Sequence, residues 1–152
     1  MANYYASART NYFAVRDVPA FKAFVAQFPD VTVVSTTVGD RHLDPDRFPH
    51  LSPDTPLFAL FFDREVGIPT QVFDSQNDEW DAWDDIDFPG ALAEHLAPGW
   101  VAELREVGAE KLRYLIGYTI AVNSEGQRVE YDLDSIHKAA SALGPFYTEP
   151  SY

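Results

Sequence analysis

Residues 113–123 put Tyr114, Ile116, Tyr118, Ile120 and Val122 at every second position, with Leu115, Gly117, Thr119 and Ala121 between them. Only an extended strand collects such a set on one face, because a helix would scatter it around its axis. Ser124-Glu125-Gly126 then supplies turn chemistry, and residues 128–133 read as the return strand of a hairpin. Just upstream, residues 100–107 place Trp100, Ala102 and Leu104 on one face and Glu103 and Arg105 on the other. Three strands in succession make an antiparallel meander.

The first half of the chain reads as strand, helix, strand. Residues 3–15 are rich in Tyr, Phe and Thr, and residues 31–38 are β-branched. Between them Phe21, Phe24, Val25 and Phe28 recur at helical spacing, with Asp17 before Val-Pro as the start and Pro29 as the stop of a helix over 18–28. From 39 to 56 four prolines, Pro45, Pro49, Pro53 and Pro56, break every periodicity, so this segment is a loop. Residues 57–62 form a short apolar strand, and 70–73 are its expected partner across the 64–69 turn. A short helix is expected over 91–97, closed by Pro98-Gly99, and a last helix over 135–143, capped by Asp134 and ended by Gly144-Pro145. The sum is the α+β class, a mostly antiparallel sheet of five to seven strands with two or three helices. At 152 residues and 46% hydrophobic content the expectation is one domain over 1–145, followed by a flexible tail over 146–152.

Charge narrows the function. The chain carries 24 Asp and Glu against 11 Lys and Arg, a formal charge of −13. Its apolar content is too high for an acidic disordered polypeptide, so the charge belongs to a folded surface. That surface repels phosphate backbones and anionic headgroups, which argues against direct binding to nucleic acid or membrane and favours basic partners. Neither a run of eighteen apolar residues nor a basic, apolar leader occurs, so neither a membrane span nor a signal peptide is expected. With no cysteine there is no disulfide framework and no thiolate chemistry, and a cytoplasmic location fits.

Reactive motifs are missing. No GxSxG or glycine-rich phosphate loop occurs, and no catalytic residue is assigned. His42 and His50 share a segment with Asp40, Asp44 and Asp46, but the prolines make the spacing irregular for a metal. Asp74-x-Gln76-x-Asp78 begins like a calcium loop and fails at its sixth and twelfth positions, Glu79 and Asp85. No metal and no cofactor are therefore expected. Tyr4, Tyr5, Tyr12 and Phe13 have only Arg9 and Arg16 nearby, too little basic charge for a single-strand stacking platform, and are read as packing residues.

The most distinctive stretch is 74–90, DSQNDEWDAWDDIDFPG. Between Arg64 and Arg105 the chain holds ten carboxylates and not one Lys or Arg. In a helix over 78–87, Asp78, Asp81 and Asp85 would share one face and repel, with Trp80 and Trp83 together on another. A local cost with no partner nearby in the sequence suggests an external one. Duplex DNA carries one charge per about 1.7 Å of axis, so a net charge of −13 matches roughly 22 Å of duplex. Asp74, Asp78, Glu79, Trp80, Asp81, Trp83, Asp84, Asp85 and Asp87 are thus the candidate partner-binding residues, the carboxylates standing in for phosphates and the tryptophans acting as anchors.

The two ends of the chain, MANYYASARTNYFAVRD and VGAEKLRYLIGYTIAVNSEG with YDLDSIHKAASALG, resemble a family of small acidic proteins of bacterial plasmids, phages and other mobile elements. The resemblance covers about half the chain; the proline-rich loop and the acidic stretch fall in its variable middle, and it carries over no catalytic residue. It implies the company of host-defence inhibitors, anti-restriction and anti-CRISPR proteins among them. The expected function is an anti-defence inhibitor in the bacterial cytoplasm, binding a host nucleic-acid-handling protein, a CRISPR effector or restriction enzyme, at its basic groove. Two other readings stand beside it: a small enzyme or ligand-binding domain with a pocket near the His42 to His50 loop, and an accessory protein whose acidic surface serves solubility alone.

Overall fold

The computed structural model describes residues 4–41, 43, 44, 46, 48, 50–63, 67–73, 83–110, 114–136, 140, 142, 143, 146 and 148. Strand β1 (Tyr4–Thr10) leads to helix α1 (Val18–Val25), then β2 (Val31–Thr37) and β3 (Pro56–Phe62). Two three-residue strands follow, β4 (Gln71–Phe73) and β5 (Trp83–Asp85), then helix α2 (Phe88–His95). The meander is β6 (Val101–Glu110), β7 (Tyr114–Asn123) and β8 (Arg128–Asp132), closed by a 3₁₀ turn, Leu133–Ile136. Six strands form one sheet in the order β2-β3-β1-β6-β7-β8, and β4 and β5 form a separate two-stranded ribbon. Every described pairing in the six-stranded sheet is antiparallel, and the α+β expectation holds.

Both helices cover the same face of the large sheet. Alternation in β6 and β7 sends Ala102, Leu104, Ile120 and Val122 into a core shared with Phe21, Phe24 and Phe28 of the α1 segment and Phe88 and Leu92 of α2. Phe88 is its centre, with ring centroids 5.4 Å from Phe24, 5.0 Å from Phe28 and 5.5 Å from Phe62. Burying side chains of this size stabilises the fold by about 1.5 to 3 kcal/mol each relative to exposure. Thr10 ties the centre of the sheet together, its hydroxyl accepting from the Leu60 N–H at 2.9 Å and donating to the Asn11 carbonyl at 2.8 Å. A second, smaller cluster, Ala14, Val38 and Leu57, is joined by Leu43 and Leu51 of the proline-rich loop.

Local chemistry sets the element ends. The Asp17 carboxylate caps α1 by accepting from the Ala20 N–H at 2.8 Å. The expected helix over 18–28 stops at Val25, because the residue before Pro29 is steered away from helical geometry, yet Phe28 remains buried. Helix α2 starts three residues earlier than expected: Pro89 sits in the first turn, where its missing N–H costs nothing. At the β7 to β8 turn the Asn123 side chain accepts from the Glu125 and Gln127 N–H groups, and Gly126 takes φ +80°.

Three expectations need correction. Residues 70–73 do not pair with the apolar strand β3, whose two edges are already taken by β2 and β1; β4 pairs with β5 instead. Residues 83–85 are strand rather than helix, with Trp83 opposite Phe73, an arrangement that avoids stacking like charges at helical spacing. The last helix, expected over 135–143, lies partly outside the described residues: 135 and 136 belong to a 3₁₀ turn, and Ala140 is helical. In the 3₁₀ turn at Leu133–Ile136 the Asp132 carboxylate accepts from the Ser135 N–H and hydroxyl at 2.8 and 2.7 Å. Those two bonds hold the Asp132 carboxyl below its usual pKa. Among the described residues no helix is long and apolar enough to cross a membrane.

Candidate partner-binding surface

The acidic segment belongs to the ribbon. Gln71, Val72 and Phe73 pair with Asp85, Asp84 and Trp83, so residues 74–82 are the connection between two short strands. Of the nine candidate partner-binding residues, Asp74, Asp78, Glu79, Trp80 and Asp81 lie in that connection, outside the described residues. Trp83, Asp84 and Asp85 are exposed, the Trp83 side chain at 54%. No Lys or Arg among the described residues pairs with Asp84 or Asp85; Asp85 accepts only a 3.3 Å bond from the Gln71 amide. Asp87 differs. The Arg128 guanidinium on β8 reaches it at 2.8 Å and also pairs with Glu130, so one carboxylate of the segment is neutralised from 41 residues away. That contact was invisible in a charge count between Arg64 and Arg105.

The foot of the ribbon is fixed by a buried acid that the sequence did not single out. Glu106 continues the inward row of Ala102 and Leu104 and is 4% exposed. Its Oε2 accepts from the Ile68 N–H at 2.7 Å and from the Tyr118 hydroxyl at 2.9 Å, pinning residues 67–69, which lead into β4. Gly67 at φ +68° permits this approach, since a Cβ there would lie 2.6 Å from Glu106 Oε2. Val72 and Ile86 complete the anchorage by packing on the helix-side core. Glu106→Ala is expected to remove the acceptor from the buried Ile68 N–H, at about 1 to 3 kcal/mol, and from the half-buried Tyr118 hydroxyl at less, whereas Glu106→Gln keeps the shape and one acceptor oxygen and costs less. Urea unfolding of the two variants checks this; equal midpoints for Glu106→Ala and the parent would refute the anchor.

The alternative site is an open depression of about 790 Å³ beside the proline-rich loop. Phe48 stacks on Trp100 with centroids 5.9 Å apart, and the Arg41 guanidinium lies 4.4 Å over the Tyr12 ring. His50 is on its rim; His42 lies outside the described residues. Among the described residues no group of three His, Asp or Glu side chains is placed to hold a metal ion.

His95 is half-buried at the edge of the core, its ring stacked 4.7 Å from Phe24. Burial lowers its pKa from the usual 6.5, the charge of Arg16 acting in the same direction and those of Glu94 and Asp17 against it. The unfolded chain therefore takes up a proton at a pH where the folded one does not. Stability from this group is present above pH 6.5 and is lost as the pH falls through the lowered folded value. Tm is expected to fall on acidification within this window, and less steeply in His95→Phe; identical pH profiles for the two proteins would contradict the assignment.

Comparison with family models found no match, and neither the curated proteins nor the solved structures gave one.

Proposed function

We propose that the chain is an anti-defence inhibitor of the anti-CRISPR or anti-restriction type. In the cytoplasm of a bacterial host, its acidic ribbon occupies the basic groove of a nucleic-acid-handling protein in place of phosphates. The observation that carries this reading is the exposed Trp83-Asp84-Asp85 strand, whose two carboxylates have no described Lys or Arg partner. Because successive residues of a strand point to opposite faces, Asp84 and Asp85 present one carboxylate on each side of the ribbon. The adjoining connection adds Asp74, Asp78, Glu79 and Asp81 to the same segment, and Trp80 and Trp83 supply aromatic anchors. The resemblance of the chain ends to mobile-element proteins points the same way.

The depression near His50 favours a second reading, a small-ligand-binding domain that uses Arg41 and the Phe48–Trp100 stack. One experiment separates the two. The tagged protein is incubated with host lysate with and without added duplex DNA, and a second sample is denatured to release any small molecule for mass spectrometry. A captured nucleic-acid-binding protein that DNA displaces supports mimicry. Capture indifferent to DNA, together with a released metabolite, supports the second reading and counts against the first.

A further inference from the structure

The helices cover one face of the six-stranded sheet, and on the other face the described residues of β1, β6, β7 and β8 include large exposed side chains. Cross-strand registers align Phe61, Arg9, Arg105, Thr119 and Tyr131 in one continuous row over β3, β1, β6, β7 and β8. On the same face stand Tyr5, Val107, Leu115 and Val129. The large apolar members Tyr5, Phe61, Val107, Leu115, Val129 and Tyr131 are between 40% and 64% exposed. Side chains of this size at these exposures present on the order of 600 Å² of surface, at the top of the roughly 300 to 600 Å² that the largest patch of a typical monomer covers. With the polar groups between them the face approaches the roughly 800 Å² per partner of a stable interface.

Charge selects the occupant. The outer faces of β1, β6 and β7 carry Arg9, Arg105 and Glu103, two positive charges against one negative, in a chain of −13. Glu103 and Arg105 already pair with each other, and Arg9 lies 5.7 Å over the Phe61 ring. A strongly acidic chain meets a copy of itself with least repulsion where it is least acidic, and this near-neutral apolar face satisfies that condition. We propose that the open sheet face is the interface of a symmetric homodimer. The two copies pack face to face around a two-fold axis, and the same patch serves both. The ribbon is anchored on the opposite, helix-covered side through Val72 and Ile86, so the dimer leaves two acidic ribbons accessible. This inference does not depend on what the ribbons bind.

The test is light scattering on the full chain, from about 1 to about 100 μM, a range that brackets a micromolar Kd. A mass of twice 17.1 kDa is expected, and Val107→Arg, a substitution at a 64% exposed position, is expected to raise the dissociation constant at least about tenfold with an unchanged far-UV spectrum. Because the chain has no cysteine, single cysteines report the geometry. Val107→Cys should cross-link to its twin through a short bis-maleimide, and Glu94→Cys, on α2, should not. A 17.1 kDa mass throughout the range would overturn the proposal. So would a dimer that Val107→Arg leaves intact, or one that cross-links through Glu94→Cys rather than Val107→Cys.

Discussion

Ile120→Asp is expected to leave no soluble, folded protein. Ile120 is 7% exposed on β7, beside the fully buried Leu104 of β6 and one alternation from Val122. The change deletes a large apolar contact worth about 1.5 to 3 kcal/mol and places a carboxylate in a core that holds no Lys or Arg among the described residues. An uncompensated buried charge adds a penalty of several kcal/mol, and the total rivals the 5 to 15 kcal/mol that holds a typical domain folded. Thr119→Asp, one residue away, faces the other side of the sheet and should remain soluble. Expression yield and circular dichroism of the two variants decide the matter. A folded Ile120→Asp would contradict the strand register on which the whole fold rests.

The meander was legible because period two gathered five apolar side chains on one side of β7, and the structure places Ile116, Tyr118, Ile120 and Val122 on that face. The same periodicity, carried two residues past Leu104, would have found Glu106. A carboxylate was not expected in a core, and its acceptors' partners, Ile68 and Tyr118, lie 38 and 12 residues away. The outward row was missed for a related reason. Val107, Leu115, Val129 and Tyr131 alternate with the core set, so attention to the more apolar face hid the second one. The ribbon was not read from the sequence because β4 and β5 are three residues each, too short to show a period. Nor does a charge count along the chain reveal that Arg128 reaches back to Asp87. The composition of the acidic segment was legible; its shape is a tertiary property, and residues 74–82 lie outside the described part of the chain.

The largest functional effect is expected from removing charge without volume. Converting Asp78, Asp81, Asp84 and Asp85 to Asn keeps the size of each side chain and relieves their mutual repulsion, so the fold should persist. Lost contacts at a desolvated centre cost about 2 to 5 kcal/mol each, whereas rim charges mainly slow association. A loss of several kcal/mol is a drop in affinity of at least a hundredfold. Asp87 is left intact because Arg128 engages it in the folded chain. Added salt should weaken the parent and affect the variant less, since screening acts on the long-range attraction that the variant has lost.

The decisive measurement is a calorimetric titration of the parent and the four-Asn variant against the purified nucleic-acid-handling protein captured from the host, at low and at high salt. Nucleic-acid mimicry predicts tight, salt-sensitive binding by the parent and at least about a hundredfold weaker binding by the variant. Equal affinities for the two proteins, indifferent to salt, would contradict it and leave the acidic ribbon as a solvated surface.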